Sequence, residues 1–171
     1  MKVAIIIIGA MGSGKSSLAE SLALRTDLPV ISLDTCRIDA WKEDPQAMPM
    51  RREKTAELKC LDLIRNSDQL IFESSGVSRF HTRALSEIAR KDARVKVIKL
   101  TAPDWVLRKR VEARSREKIH VPFPYKTGTV GESISYMKEK LKNVNSDYKF
   151  NTGKMTAEEI AERLLSFADF P

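Results

Sequence analysis

Short runs of apolar, mostly β-branched residues alternate along this chain with stretches whose apolar positions recur every three or four residues. The runs are Val3–Ile8, Val30–Leu33, Leu70–Phe72, Val95–Leu100 and a weaker one at Tyr148–Phe150. Runs of this kind predict strands buried on both faces. The periodic stretches predict helices over Lys15–Arg25, Met50–Arg65, Arg79–Lys91, Pro103–Arg116, Val130–Lys142 and Thr156–Phe167. Pro103 suits a first helical turn, and Thr156 with Glu159 spells a capping box. Such alternation implies an α/β fold, a five-stranded parallel sheet with helices on both faces. His120 to Gly128 carries two prolines and two aromatics and predicts a lid at about residues 115–130.

The length of 171 residues suits a single domain over residues 1–171, and 42% hydrophobic residues suffice for one core. The longest apolar run, Val3–Ile8, is far short of the roughly 20 residues that cross a bilayer, so no membrane association is expected. It follows Met1-Lys2 without a cleavage pattern and reads as a first strand, not a signal peptide. Cys36 and Cys60 cannot build a disulfide framework and match no zinc spacing, so they read as reduced thiols of a cytoplasmic protein. His81 and His120 lack partners at metal spacing and are expected at the surface, whereas Trp41 and Trp105 are expected in the core.

Charge changes the picture in one place. The chain carries a net +7, yet Arg79–Lys118 alone holds thirteen basic and five acidic residues. Such a segment is a solvated helix face, an anion site for nucleotide phosphates, or a track for a nucleic-acid backbone.

Gly9-Ala10-Met11-Gly12-Ser13-Gly14-Lys15-Ser16 matches Gly-x-x-x-x-Gly-Lys-Ser, the phosphate-binding loop (Walker A), and it joins the first strand to a helix as that loop must. Its backbone N–H groups, with Ser17 continuing the turn, would cradle the phosphates of ATP. Lys15 would reach the β- and γ-phosphates, and the Ser16 hydroxyl would take a magnesium position. The chain has no Asn-Lys-x-Asp base-reading motif of GTPases. Leu70-Ile71-Phe72-Glu73 offers one carboxylate where motor and AAA-type ATPases usually carry two. A small kinase is the reading left. Asp34, after the second strand, borders the same crevice and can accept the proton of an attacking hydroxyl; Arg37 can bind the acceptor. The plainer alternative is an aspartate capping a short helix, beside a surface arginine.

The P-loop, the Asp34-x-x-Arg37 spacing and the basic helix leading into a proline-containing lid resemble the phage-type polynucleotide 5′-kinase branch of P-loop kinases, over residues 2 to about 142. The zeta-toxin, shikimate and gluconate kinases are relatives of that branch. The resemblance implies that Lys15 and Ser16 bind ATP and Mg2+, that Asp34 is the general base and that Arg37 orients the acceptor. It further implies that a lid-helix arginine contacts the transferring phosphate, here Arg114, with Arg110 second. The branch often has an aspartate after its third strand where this chain has Glu73-Ser74-Ser75-Gly76, so Glu73 could hold a magnesium-bound water, touch the acceptor or end a strand. Asn151-Thr152-Gly153 resembles the adenine-side loop of nucleoside monophosphate kinases. The expected function is transfer of the ATP γ-phosphate to a hydroxyl of nucleic acid, either a 5′-hydroxyl or the hydroxymethyl group of a modified pyrimidine in DNA. The rivals are a small-metabolite kinase of shikimate, gluconate or nucleotide type, and a nucleotide-gated binding protein without an acceptor.

Overall fold

The computed structural model describes residues 2–117 and 128–170, with the side chains of 115–117 left aside. Most of the lid expected at 115–130 therefore lies outside the described residues, as does His120. The element order is β1 (Val3–Gly9), α1 (Lys15–Thr26), β2 (Val30–Ser32), α2 (Leu33–Glu43), α3 (Pro49–Asn66), β3 (Gln69–Ser74), α4 (Arg79–Ala89), β4 (Arg94–Thr101), α5 (Asp104–Glu117), α6 (Val130–Leu141), β5 (Tyr148–Asn151) and α7 (Ala157–Leu165). The strands form one sheet, all parallel, in the order β2-β3-β1-β4-β5.

The two faces follow from the period of two along β1. Ala4, Ile6 and Ile8 point into a layer built by α2, α3 and α4, with Leu61, Ile64, Phe80 and Ile88 among its residues. Val3, Ile5 and Ile7 point the other way, onto Leu18 and Leu22 of α1 and Ile160 and Leu164 of α7. A smaller cluster, Ala10, Ala102, Leu107 and Ile134, seats α5 and α6 beyond the carboxyl ends of the strands. The helices do cover both faces.

Two elements depart from the expected pattern. Strand β2 stops at Ser32, and Leu33 already belongs to a helix, α2, that the pattern did not single out. Its inward residues are only Leu33, Cys36 and Ala40, too few and too small to print a strong helical period. Thr129 and Glu132 form a second capping box, at the start of α6, besides the expected one at Thr156. Among the described residues no helix is long and apolar enough to cross a membrane.

Candidate active site at the carboxyl ends of the strands

Every strand of a parallel sheet ends on the same side, so the turns after β1, β2 and β3 meet at one crevice. Ile7, Glu73 and Ser32 are register partners across β1, β3 and β2. Glu73 thus stands between the root of the P-loop and the start of α2.

The P-loop turns through left-handed backbone at Gly12 (φ 77°) and Gly14 (φ 87°), which L side chains resist. Gly14 caps α1, so the helix N-terminus opens directly under the loop. Lys15 folds back over it, its Nζ donating to the Ala10 carbonyl at 3.1 Å. Burial pushes the Lys15 ammonium down from its ordinary pKa; the carboxylates of Glu73 and Asp34 push it back up, and Arg114 pushes it down again. Those four charges therefore share one neighbourhood. Ser16 Oγ donates to Glu73 Oε1 at 3.2 Å. Glu73 Oε2 and Ser13 Oγ are buried without a hydrogen-bond partner among the described residues. Buried orphans are rare because each costs about 1–3 kcal/mol, so their presence around one loop marks a place for something polar. Ser17 is exposed on the first turn of α1, and Met11 packs on the Leu107 cluster.

On the acceptor side, Ser32 Oγ accepts from the Asp34 backbone N–H at 3.2 Å and caps α2. The capping group is therefore Ser32, which leaves the Asp34 side chain free to stand 80% exposed. Arg37 is only 13% exposed: its Nη1 donates to Asp34 Oδ1 at 2.6 Å, and its Nε and Nη2 donate to the two oxygens of Glu53 on α3. It is not the surface arginine of the plainer alternative.

Helix α5 brings Arg110 and Arg114 to the loop by different routes. Arg110 Nη1 donates to Thr152 Oγ1 at 2.8 Å and to the Gly12 carbonyl at 3.3 Å, and Nη2 donates to the Thr152 carbonyl at 2.7 Å. Thr152 in turn donates to the Ser13 carbonyl at 3.0 Å, so the turn after β5 is fastened to the P-loop through one arginine. Arg114 is exposed and acts on Lys15 through its charge.

Several basic side chains of residues 79–118 are engaged within the fold. Arg83 pairs with Glu57 and Arg90 with Glu87, both by short contacts. Lys91 and Lys99 donate to backbone carbonyls, and Arg94 and Lys96 tie down Asp169. Arg94 is register partner of Val3, at the start of the strand, roughly 20 Å from the P-loop at 3.3 Å per residue.

His81 is buried, not superficial as expected: its Nδ1 is 2.6 Å from Ser74 Oγ and its ring stacks on Phe72. Burial alone pushes its pKa down. Trp105, expected in the core, is exposed on α5. Sequence reasoning weighed Glu73 without assigning it, and did not find Glu53. The isolated acidic residue at the end of an apolar strand was the available signal for Glu73; for Glu53, one of many charges on α3, the sequence carried none.

An all-parallel sheet in this order, with a P-loop and an exposed carboxylate across the crevice from it, defines a kinase-type P-loop protein. The chain belongs to the AAA_33 family, described as an AAA domain, whose model matches residues 5–139. The lone carboxylate Glu73 had set the chain apart from AAA-type ATPases at the level of sequence; the family nevertheless carries that description, while the similar solved structures include several kinases. One is a putative kinase from Chloroflexus aurantiacus J-10-fl, 17% identical, with a TM-score of 0.71 over 96% of this chain and 97% of that one. Another is the shikimate kinase of Acinetobacter baumannii in complex with shikimate, 16% identical, with a TM-score of 0.66 over 96% and 92%. A third is a gluconokinase from Sinorhizobium meliloti 1021, 15% identical, with a TM-score of 0.60 over 94% and 89%. At these identities the likeness is one of fold. No curated protein matches the sequence.

Proposed function

We propose that this protein transfers the γ-phosphate of ATP to a hydroxyl group of a small polar metabolite. The observation that carries the reading is the meeting of Lys15, Ser16, Glu73, Asp34 and Arg114 around one crevice. The P-loop N–H groups and Lys15 would hold the phosphates, and the orphaned Ser13 hydroxyl lies in the same loop. Ser16 and Glu73 suit a magnesium ion, since a hydroxyl and a carboxylate with a free oxygen are hard oxygen donors. When bound, that ion supplies charge neutralisation at the phosphate oxygens. Asp34 takes the proton of the acceptor hydroxyl as its oxygen bonds to the γ-phosphorus; the bond from that phosphorus to the β-phosphate oxygen breaks, and ADP leaves with the electron pair. Arg114 and Lys15 face the charge that spreads over the transferring group. Arg110 holds the P-loop against the turn after β5.

For the acceptor, two things favour a small molecule over nucleic acid. Several basic side chains of residues 79–118, Arg83, Arg90, Lys91, Lys96 and Lys99 among them, are engaged in ion pairs and with carbonyls within the fold. The similar solved structures include a shikimate kinase and a gluconokinase. The test is a screen with γ-labelled ATP against hydroxy acids, sugars, nucleosides, 5′-hydroxyl oligonucleotides and hydroxymethyluracil-containing DNA. Label should pass to one small hydroxyl compound, and Lys15→Ala should abolish it. Efficient labelling of oligonucleotides alone, with an acceptor KM that rises with salt by a log–log slope near 0.7 per phosphate contact, would replace this reading with the nucleic-acid one.

A further inference from the structure

An exposed aspartate in the first turn of a helix normally samples several rotamers, and an i,i+3 partner on the same helix does little to stop it. Asp34 is different because its partner is itself held. Arg37 is gripped side-on by Glu53, with Nε to Oε2 at 2.8 Å and Nη2 to Oε1 at 2.5 Å, and both side chains are 13% exposed. The remaining arm, Nη1, pins Asp34 Oδ1 at 2.6 Å. The other oxygen of Asp34, Oδ2, has no hydrogen-bond partner among the described residues.

We propose that Glu53 is a positioning residue for phosphoryl transfer: through Arg37 it fixes the Asp34 carboxylate so that one oxygen is held and the other is presented to the acceptor hydroxyl. This rests on the reading of Asp34 as the general base. Stability alone does not explain the pair. A mostly buried ion pair recovers little beyond its own desolvation cost, and apolar residues of the same volume usually serve as well. Helix α2 is already seated by Leu33, Cys36 and Ala40, so the ion pair is not needed to hold the helix on the sheet. What apolar residues could not supply is a rigid donor aimed at a carboxylate in solvent. Arginine suits the task because its planar fork can serve two carboxylates at once, and lysine could not. The arrangement also accounts for Arg37 itself, whose three donor positions point at Glu53 and Asp34.

The experiment measures ADP release from magnesium ATP, with water as acceptor and with the hydroxyl compound that best accepts label in the screen above. The proteins are the parent, Glu53→Ala, Glu53→Gln, Asp34→Asn and the double variant Asp34→Asn/Glu53→Ala. Misplacing a reacting group by about 1 Å costs on the order of 10²-fold, so Glu53→Ala should lower kcat by roughly 10- to 100-fold with the KM for ATP within about twofold. Glu53→Gln keeps an oxygen for Arg37 and should recover part of the rate. In the Asp34→Asn background, Glu53→Ala should have no further effect, because there is no base left to aim. Equal losses in both backgrounds would make Glu53 merely structural and overturn the proposal, as would an undiminished rate in Glu53→Ala. An unchanged rate in Asp34→Asn would instead remove the base on which the proposal stands, even if ATP and the acceptor still react. If Glu53→Ala melts too low to assay, the same comparison is made with Glu53→Gln in both backgrounds.

Discussion

Two glycines offer a substituted methyl group the same nominal clearance and should respond in opposite ways. A Cβ at Gly12 would lie 2.6 Å from the backbone oxygen of Leu107 on α5; one at Gly131 would lie 2.6 Å from Nη2 of Arg108. The neighbours differ in what they can do. The Leu107 carbonyl is fixed within α5, and Leu107 itself is buried in the cluster that seats that helix. Gly12 also has φ 77°, where an L residue loses about 1–2 kcal/mol. Forcing the helix off the loop adds about 1–3 kcal/mol, the usual cost of an overpacked contact. Gly12→Ala should therefore destabilise the protein by about 2–5 kcal/mol, or roughly 5–15 °C in Tm at this chain length. Gly131 lies in helix α6 with ordinary backbone, and the end of an exposed arginine can swing away. Gly131→Ala should be neutral or stabilising by up to about 1 kcal/mol, from helix propensity. Thermal melting of both variants without nucleotide decides the matter. Equal destabilisation, or a Gly12→Ala protein that melts with the parent, would refute the close packing of α5 on the P-loop.

Other outcomes follow from single contacts. Arg110→Ala should cost roughly 1–3 kcal/mol in thermal melting and weaken nucleotide affinity in calorimetric titration, and Arg110→Lys should restore little, because one ammonium cannot reproduce the fork that reaches Thr152 and Gly12. Lys96, bonded at 2.6 Å, and then the Tyr148 hydroxyl hold the Asp169 carboxyl below its ordinary value near 3.8. A depressed carboxyl stabilises the fold above its unfolded pKa and loses that contribution as pH falls through the folded one. Asp169→Asn should therefore lower Tm at neutral pH, and the gap to the parent should close below about pH 3.8; a gap independent of pH would contradict it.

Strong periods were easy to read and weak ones were not. The strand Val3–Gly9 announces itself because six consecutive apolar residues fill two cores at once. Helix α7 announces itself by its capping box and its buried stripe of Ile160, Ala161 and Leu164. Helix α2 stayed hidden because Val30–Leu33 reads as one strand, although Ser32 ends it by capping the helix that follows. In the site, the P-loop was legible because its chemistry is local in sequence. The partners of its members were not. Glu73 reaches Ser16 across 57 residues, and Glu53 reaches Arg37 across 16, contacts that only the register of β1, β3 and β2 and the packing of α2 on α3 create. The contacts made by the charges of residues 79–118 were hidden for the same reason. Composition counts thirteen basic side chains, whereas the fold sets several of them against Glu57, Glu87 and Asp169.

If this crevice moves phosphate with Asp34 as the base, nucleotide affinity and single-turnover transfer, measured side by side, should part company in Asp34→Asn. The Kd for magnesium ATP should stay within about twofold of the parent while transfer slows by roughly 10²- to 10⁴-fold, the size of a general-base contribution. Transfer at the parent rate, in a protein that melts like the parent, would contradict it.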